Sequence, residues 1–310
     1  MPVQRVTIIG GGITGVTAAL ALTRHNAMSC AVFEIRSEPA TIGGAIGLTP
    51  KALRYLDHLG VLSRLQSMGC EVKSIDIMCH RTGKNIGAID FDNIERFKHL
   101  GIRVMRHQLL EAMLATLRGH GVEVQYGKKI ISIAEDHDSI TATFEDGTEI
   151  KGDVLLGCDG IHSAIQTKFI QPDRQPEYTG IATAYGFTDA TSLSSQLPID
   201  STSLYFSRLG SLLLAYTDPA KSRLYAAAVM RAPDVGSREG WIVKGQEQKA
   251  LKADLLRRFS TPTLPWMEEA LQELQDITLY PVHRLSEDGL WSSGRTLLLG
   301  DAAHAMPPQG

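Results

Sequence analysis

The stretch that decides the fold lies near the start of the chain and reads VTIIGGGITG over residues 6–15. Val6 to Ile9 is a short β-branched apolar run that stops at a glycine, a pattern typical of a buried parallel strand entering a tight turn. From Ile13 to Arg24, small and apolar residues recur at helical spacing, which predicts a helix lying close on the sheet. A second strand is predicted from Cys30 to Phe33. These segments predict the opening strand–helix–strand unit of a nucleotide-binding α/β fold.

The glycines of this turn match the spacing G-x-G-x-x-G. Gly10 allows the turn, Gly12 lets a pyrophosphate approach the backbone, and Gly15 lets the helix pack tightly on the strand. The helix N-terminus then offers free N–H groups and a positive dipole end to the phosphates. Glu34 follows Gly15 by 19 residues, where its carboxylate can accept hydrogen bonds from the adenosine ribose hydroxyls. The combination predicts a bound dinucleotide; the alternative is a sterically required turn with a surface glutamate.

Composition and charge narrow the class of protein. The chain has 310 residues and a formal net charge of −3, so its overall field does not favour nucleic acid as a partner. The length predicts about two domains, or one large domain with an insertion. Four cysteines without a C-x-x-C pair and ten histidines without an H-E-x-x-H pattern predict no metal site and favour a reducing, cytoplasmic compartment. No apolar run reaches the roughly 18 residues that a transmembrane segment needs.

Two later segments decide between NAD and FAD, which the glycine motif alone leaves open. VLLGCDG at residues 154–160, followed by IHSAI at 161–165, resembles the D-G motif of the flavoprotein aromatic hydroxylases. TLLLGDAAHAMP at residues 296–307 is similar to their G-D-A-A-H-x-x-x-P motif. The chain therefore resembles the FAD-dependent, single-component monooxygenases typified by p-hydroxybenzoate hydroxylase and salicylate hydroxylase, most closely their fungal secondary-metabolism members.

The resemblance implies an α/β fold in which a Rossmann-like FAD-binding domain carries an inserted antiparallel-sheet substrate domain. We predict an FAD-binding domain over residues 1–172, a substrate domain over 173–278 and a return to the FAD-binding domain over 279–310. The residue pattern after Pro172 supports an inserted sheet. It predicts strands at 178–189, 201–206, 211–216 and 224–230, and helices near 246–259 and 264–274.

The same resemblance implies which residues contact the cofactor. The loop IGGAIGLTP at residues 42–50 is similar to the family loop beneath the flavin and contributes Ala45. Arg106, at the start of a predicted helix, matches an arginine that adds charge-assisted hydrogen bonds near the phosphates or the ribityl chain. Asp301 matches the carboxylate that holds the ribityl chain, and Asp159 the one that serves both FAD and the reduced nicotinamide. The predicted cofactor residues are Gly10, Gly12, Gly15, Glu34, Ala45, Arg106, Asp159 and Asp301.

For three of these residues the sequence is also consistent with a structural role that involves no cofactor. Arg106 is also consistent with a cation on a helix surface. Asp301 is consistent with an Asx turn at the end of a strand, and Asp159 with a plain strand-ending turn. Only their positions relative to the glycine motif can decide between these interpretations.

The implied activity is that of a monooxygenase with FAD as cofactor and NADPH as co-substrate. The resemblance implies that O2 forms a C4a-hydroperoxide on the reduced flavin, which hydroxylates or epoxidises a small aromatic or polyketide-like substrate. Water must be excluded, because hydration lets this intermediate decay. A flavin-dependent reductase or dehydrogenase without oxygen insertion remains an alternative, and the pattern predicts no oligomeric state.

The catalytic side chain and the chain end depart from the family pattern. Tyr216, at the end of a predicted strand, resembles a family tyrosine that faces the substrate and is the predicted catalytic residue. Tyr185 is followed by Gly186, where the family often has an arginine, and Gln166 stands where its D-G motif commonly ends in arginine. The sequence ends at Gly310, where family members continue into a long helix, so a truncated, non-catalytic remnant is a further alternative.

Overall fold

The structure, a computed structural model, describes residues 3–41 and 43–308. Ile42 of the predicted flavin loop lies outside the described residues, as do residues 1–2 and 309–310. The strands are β1 Arg5–Ile9, β2 Ser29–Phe33, β3 Ala45–Leu48, β4 Cys70–Val72, β5 Ser74–Cys79, β6 Asn85–Asp90, β7 Gly101–Met105, β8 Val124–Gln125, β9 Ile130–Glu135, β10 Ile140–Phe144, β11 Glu149–Gly152, β12 Val154–Gly157, β13 Glu177–Asp189, β14 Thr202–Ser207, β15 Gly210–Tyr216, β16 Arg223–Arg231, β17 Gln275–Arg284, β18 Ser292–Ser293 and β19 Thr296–Leu298.

The helices of the described residues are short. The longest, α1 and α4, have 14 residues each, and within the described ranges we find no helix with the length and apolar character to cross a membrane. The helices are α1 Ile13–Asn26, α2 Pro50–His58, α3 Ile94–Phe97, α4 Arg106–Gly119, α5 Arg238–Gln246, α6 Gln248–Phe259, α7 Pro265–Gln272 and α8 Asp301–His304.

A six-stranded sheet carries the three sequence motifs. Its strand order is β18-β19-β12-β1-β2-β8, and every pair except β18–β19 is parallel. The carboxyl ends of β1, β12 and β19 therefore meet at one edge. Two backbone hydrogen bonds continue the pairing beyond the strands, from Cys158 N to Ile9 O (2.7 Å) and from Leu299 N to Gly157 O (2.9 Å). The predicted α/β fold with a Rossmann-like parallel sheet is confirmed.

A seven-stranded sheet forms the second layer, in the order β17-β13-β16-β15-β14-β5-β6. Strands β13 to β16 confirm the four strands predicted after Pro172, and α5, α6 and α7 cover one face of this sheet around Trp241, Leu255 and Met267. All pairs are antiparallel except β14–β5. Strands β5 and β6 come from residues 74–90, before the predicted insertion, and residue 278 lies inside β17. The division into domains at 172 and 278 stays a prediction.

A small sheet in the order β3-β7-β4 lies between these two layers. Ile46 and Val104 pair across β3 and β7 and pack with the core beneath the parallel sheet. Cys70 of β4 points to the opposite face and packs with the core of the seven-stranded sheet. Alternate residues of β3 and β7 therefore face alternate layers of the protein.

One buried arginine joins the last segment of the chain to the residues after β12. Arg174 is 4% exposed and donates from Nη1 to Ala303 O (3.0 Å) and from Nη2 to Ser286 O (2.6 Å). Gly289 packs on the guanidinium so closely that a Cβ there would lie 1.9 Å from Cζ. No local sequence pattern marks Arg174, because its partners are backbone carbonyls more than 100 residues away along the chain.

We expect Arg174→Met to lower the free energy of unfolding by about 2–4 kcal/mol, because a buried and a partly buried hydrogen bond to carbonyl groups lose their charged donor. Urea unfolding of the variant measures the loss. Arg284→Met is the matched control, because the Arg284–Glu177 ion pair is exposed and its loss should change stability by less than about 0.5 kcal/mol. Equal stability of the two variants would contradict the structural role of Arg174.

Candidate cofactor and substrate site

Two of the three motif glycines in the β1–α1 turn are required by the protein's own backbone packing. Gly10 has a φ of +112°, and a Cβ there would lie 2.3 Å from Cys158 O; a Cβ at Gly15 would lie 1.9 Å from Gly10 O. Gly12 differs, because nothing lies within 4 Å of its Cβ position and its φ of −79° suits any residue. The protein's own packing therefore does not explain Gly12. The open space fits a bound diphosphate, as the motif predicts.

The first turn of α1 opens onto this space. No side chain among the described residues caps the helix, and its first turn has no acidic residue. The first helical hydrogen bond runs from Val16 N to Gly12 O (3.0 Å), which leaves the preceding amides without intrahelical partners. Unpaired N–H groups and the positive end of the helix dipole stabilise an anion at this place.

Glu34 is fixed against the same turn. Its side chain is largely buried, with the residue 9% exposed. Oε2 accepts a hydrogen bond from Gly11 N (2.8 Å) and Oε1 accepts one from Arg36 N (3.0 Å). A carboxylate has about four acceptor positions, so both oxygens keep capacity for a ligand hydroxyl. The backbone N–H groups hold the carboxylate in one orientation at the end of β2.

Asp301 lies beside the glycine turn, although almost 300 residues separate the two in the sequence. Gly300 has a φ of +61°, and a Cβ there would lie 2.5 Å from Oγ1 of Thr14, the second residue of α1. Asp301 follows as the first residue of α8, is exposed, and forms no side-chain hydrogen bond within the described part of the chain. The two anchors of the predicted dinucleotide therefore lie at one edge of the sheet.

Arg106 reaches across the loop that precedes β3. Its backbone N–H donates to Gly44 O (3.0 Å), and a Cβ at Gly43 would lie 2.9 Å from the Arg106 Cδ atom. The Nε atom of Arg106 is fully buried and has no hydrogen-bond partner among residues 3–41 and 43–308. Ala45 begins β3 and pairs with Met105. A buried, unpaired donor is costly unless a ligand satisfies it, so this side chain fits an oxygen-rich cofactor and is not a plain surface cation.

The Asp159 carboxylate accepts hydrogen bonds from residues of its own chain. Oδ1 accepts from Ser163 Oγ (2.5 Å), and Oδ2 accepts from the amides of Ala164 (2.7 Å) and Ile165 (3.2 Å). Burial raises the pKa of Asp159, and these hydrogen bonds oppose the shift. The carboxylate thus caps the helical turn that follows. Gln166 is buried as well and donates from Nε2 to Gln171 O (3.1 Å), so its side chain supports this turn.

Tyr216 does not lie with these residues. The register of β15 and β16 pairs Tyr216 with Leu224 and Ala215 with Tyr225. Neighbouring residues of a strand point to opposite faces, and both Tyr216 and Leu224 pack in the core under the helices. Tyr225 is on the other face, where a Cβ at Gly44 would lie 2.7 Å from its Cε2 atom. The residues near the flavin loop are therefore on the face opposite to the one that Tyr216 occupies.

An aromatic cluster lines this second face. The ring of Tyr185 lies 5.7 Å from that of Tyr225 and 6.1 Å from that of Tyr280, and Phe187 lies 5.3 Å from Tyr225. Burial raises the pKa of Tyr225 and of Tyr280, so both phenols stay neutral and able to donate. Arg103 on β7 adds a positive charge near Tyr225. No sequence motif marks these residues. The signal that could have found them is the alternation of side chains along β13, β16 and β17, which places every second residue on the face towards Gly44.

The chain matches known proteins over almost its whole length. A family model described as an FAD binding domain matches residues 4–310. The FAD-dependent urate hydroxylase of Klebsiella pneumoniae is 26% identical over 308 residues, covering 98% of this chain and 76% of the relative. Salicylate hydroxylase of Pseudomonas putida is 26% identical over 347 residues, covering 99% of this chain and 72% of the relative. The crystal structure of Klebsiella pneumoniae HpxO with FAD and uric acid has a TM-score of 0.81 and 26% identity, covering 98% of this chain and 74% of that one.

We expect Gly12→Ala to leave the FAD-free protein as stable as the wild type but to raise the Kd for FAD at least about tenfold, because the methyl group enters the space for the diphosphate. Gly15→Ala should instead destabilise the protein itself by about 3 kcal/mol or more, because its Cβ overlaps a backbone oxygen. Thermal unfolding and a flavin absorbance titration separate the two effects.

Gly119→Ala is the control for both variants, since Gly119 lies in a helix and its Cβ position is also open. We expect it to bind FAD as the wild type does. If Gly12→Ala also binds FAD normally, the diphosphate does not occupy this turn.

Proposed function

We propose, from the premise that this chain belongs to the FAD-binding-domain family, that it is an FAD-dependent monooxygenase using NADPH and O2 to oxygenate a small aromatic substrate. The observation that carries the proposal is the meeting of the glycine turn and Asp301 at one sheet edge, where Gly300 contacts Thr14. A urate hydroxylase and a salicylate hydroxylase among the relatives support an aromatic substrate.

The chain's own residues would hold FAD along this edge. The space at Gly12 and the free amides of α1 would receive the diphosphate, and Glu34 would accept hydrogen bonds from the adenosine ribose. Asp301 would bind a ribityl hydroxyl, and the unpaired Nε of Arg106 would donate to a phosphate or ribityl oxygen. The proposed cofactor residues are Gly10, Gly12, Gly15, Glu34, Ala45, Arg106, Asp159 and Asp301.

The flavin supplies electron storage and oxygen activation when bound, and the protein supplies position and a dry site. Gly44 would let the cofactor loop approach Tyr185 and Tyr225, so the substrate would lie between this loop and the aromatic face of the seven-stranded sheet. The neutral Tyr225 phenol can donate to a substrate oxygen. Strands β13 to β16 would thus form most of the substrate domain, in keeping with the proposed division at residues 172 and 278.

The compartment belongs to the proposal as well. All four cysteines carry free thiols, which is the usual state in a reducing compartment. The free thiols support our proposal that the protein is cytoplasmic.

We expect the purified chain to turn yellow with FAD and to oxidise NADPH faster when a panel of small aromatic hydroxy acids and phenols is added. Mass spectrometry under isotope-labelled O2 should find one labelled oxygen atom in the product. A reductase or dehydrogenase would instead turn over without O2 when an artificial electron acceptor is supplied. A chain that stays colourless with FAD would contradict the proposal and favour a non-catalytic protein.

Variants of Tyr225 and Tyr216 test which face of the seven-stranded sheet binds the substrate. With the panel compound that most stimulates NADPH oxidation, we expect Tyr225→Phe to lower kcat/KM about tenfold or more, because a hydrogen bond to a charged or polarised oxygen is lost. Tyr216→Phe should change kcat/KM by less than about twofold, since its ring packs in the helix-covered core. The reverse ranking would return the catalytic role to Tyr216.

A further inference from the structure

Arg103 is a buried cation without a partner. It lies in the middle of β7 and is 5% exposed. Among residues 3–41 and 43–308 the Arg103 side chain forms no salt bridge and donates no hydrogen bond. The Nε atom is fully buried and unpaired. Buried charges in folded proteins are normally paired, so a missing partner at this place points to a ligand.

The guanidinium lies between the small sheet and the seven-stranded sheet. Arg103 pairs with Gly47 on β3 and with Cys70 on β4, so all three share one face of the small sheet. Cys70 packs against the seven-stranded sheet, and the Arg103 guanidinium is close enough to Tyr225 for the two to interact, so this face of the small sheet points towards the seven-stranded sheet. A Cβ at Gly47 would lie 3.0 Å from the Arg103 Nη2 atom. Glycine at this position therefore leaves the space that the guanidinium fills.

The same face carries the groups proposed to surround the substrate. Ala45 is two residues from Gly47 along β3, and its backbone N–H approaches the phenol oxygen of Tyr225. The charge of Arg103 acts on Tyr225 in the direction that lowers its pKa, although burial is the larger effect and raises it. Arg103, Tyr225 and the cofactor loop at Gly44 thus border one region of the protein.

The position expected for a cation is closed in this chain. Gly186 follows Tyr185 on β13, and a Cβ there would lie 2.9 Å from Gln275 O. A longer side chain at 186 would have to displace the backbone of β17, and Gly186 is on the helix-covered side with Ala184. Any positive charge at the substrate must come from another element.

We propose that Arg103 binds an oxyanion of the substrate, so that the protein selects aromatic compounds carrying a carboxylate or an ionised ring oxygen. This inference rests on the proposed function, since it places the substrate at the aromatic face beside the flavin loop. The planar fork of a guanidinium matches two oxygens of a carboxylate and gives charge-assisted hydrogen bonds. The anion in turn supplies the buried cation with its counter-charge.

The test measures binding to the FAD-loaded protein by the change in flavin absorbance. The probes are 4-hydroxybenzoate and salicylate, their amides, phenol, and 4-nitrophenol at a pH above its pKa, where it carries an ionised ring oxygen without a carboxylate. We expect the wild type to bind at least one acid about tenfold or more tighter than its amide, or 4-nitrophenol tighter than phenol, because only the anion pairs with the guanidinium. The acids and the nitrophenol separate the two sources of the oxyanion.

The variants assign that preference to one residue. Arg103→Met should bind acid and amide within about threefold of each other, and Arg103→Lys should keep part of the preference as a point charge. Arg208→Met is the matched control, because Arg208 lies exposed in the β14–β15 turn and should behave as the wild type. If Arg103→Met does not fold, Gly47→Ala decides: its methyl group displaces the guanidinium, so a weaker anion preference supports the proposal and an unchanged one overturns it.

Three further results would overturn the proposal. In the first, the FAD-loaded wild type shows no preference for any anionic probe. In the second, Arg103→Met keeps the preference. In the third, Arg103→Met changes the Kd for FAD or the ligand-free flavin spectrum, which would make Arg103 a cofactor contact. Failure of the wild type to bind FAD at all is a different result, because it rejects the proposed function itself.

Discussion

Close backbone contact at the end of β1 is the constraint on which the rest of the site depends. Gly10 lies against the Cys158 carbonyl, Gly15 lies against the Gly10 carbonyl, and Gly300 lies against Thr14. No side chain fits between these segments, so the turn, the end of β12 and the start of α8 form one packed edge. Residues from the beginning, middle and end of the chain meet there. The positions of Glu34 and Asp301 follow from that meeting.

Two buried arginines and the half-buried Arg106 show how the protein divides its polar groups between stability and ligand binding. Arg174 gives two hydrogen bonds to carbonyls of its own chain, so its burial is largely compensated. Within the described residues the Nε atom of each of the three arginines is buried and unpaired, but Arg106 and Arg103, unlike Arg174, form no other side-chain hydrogen bond there. An unpaired buried donor lowers the stability of the protein. When a ligand pairs with that donor, the cost is removed and the pairing adds to the binding free energy.

The parts of this fold that sequence reasoning predicts are those whose physical cause is local. The glycine turn, the strand before it and the acidic residue after β2 depend on neighbours within about 30 residues, as a single βαβ unit does. The role of Tyr216 rests on a resemblance at a strand end and stays a prediction, while the alternation of β15 places its ring on the face opposite to Tyr225. Arg103 and Arg174 carry no local signal, because their surroundings come from segments that are far away in the sequence. The parallel pairing of β5 with β14 is equally non-local.

The location of Arg103 also bears on how a substrate would be oriented. A cation on β13 would tie the substrate to the seven-stranded sheet, whereas the proposed cofactor residues lie on the parallel sheet and on the loop before β3. Arg103 is on β7, which is hydrogen-bonded to β3, and Arg106 begins the helix that directly follows β7. The substrate anion and the cofactor would then be bound by two residues of one short segment, Arg103 and Arg106, which are three residues apart along the chain. Small shifts between the two large sheets would leave the distance between the reacting groups unchanged, which is the geometric condition that catalysis by positioning requires.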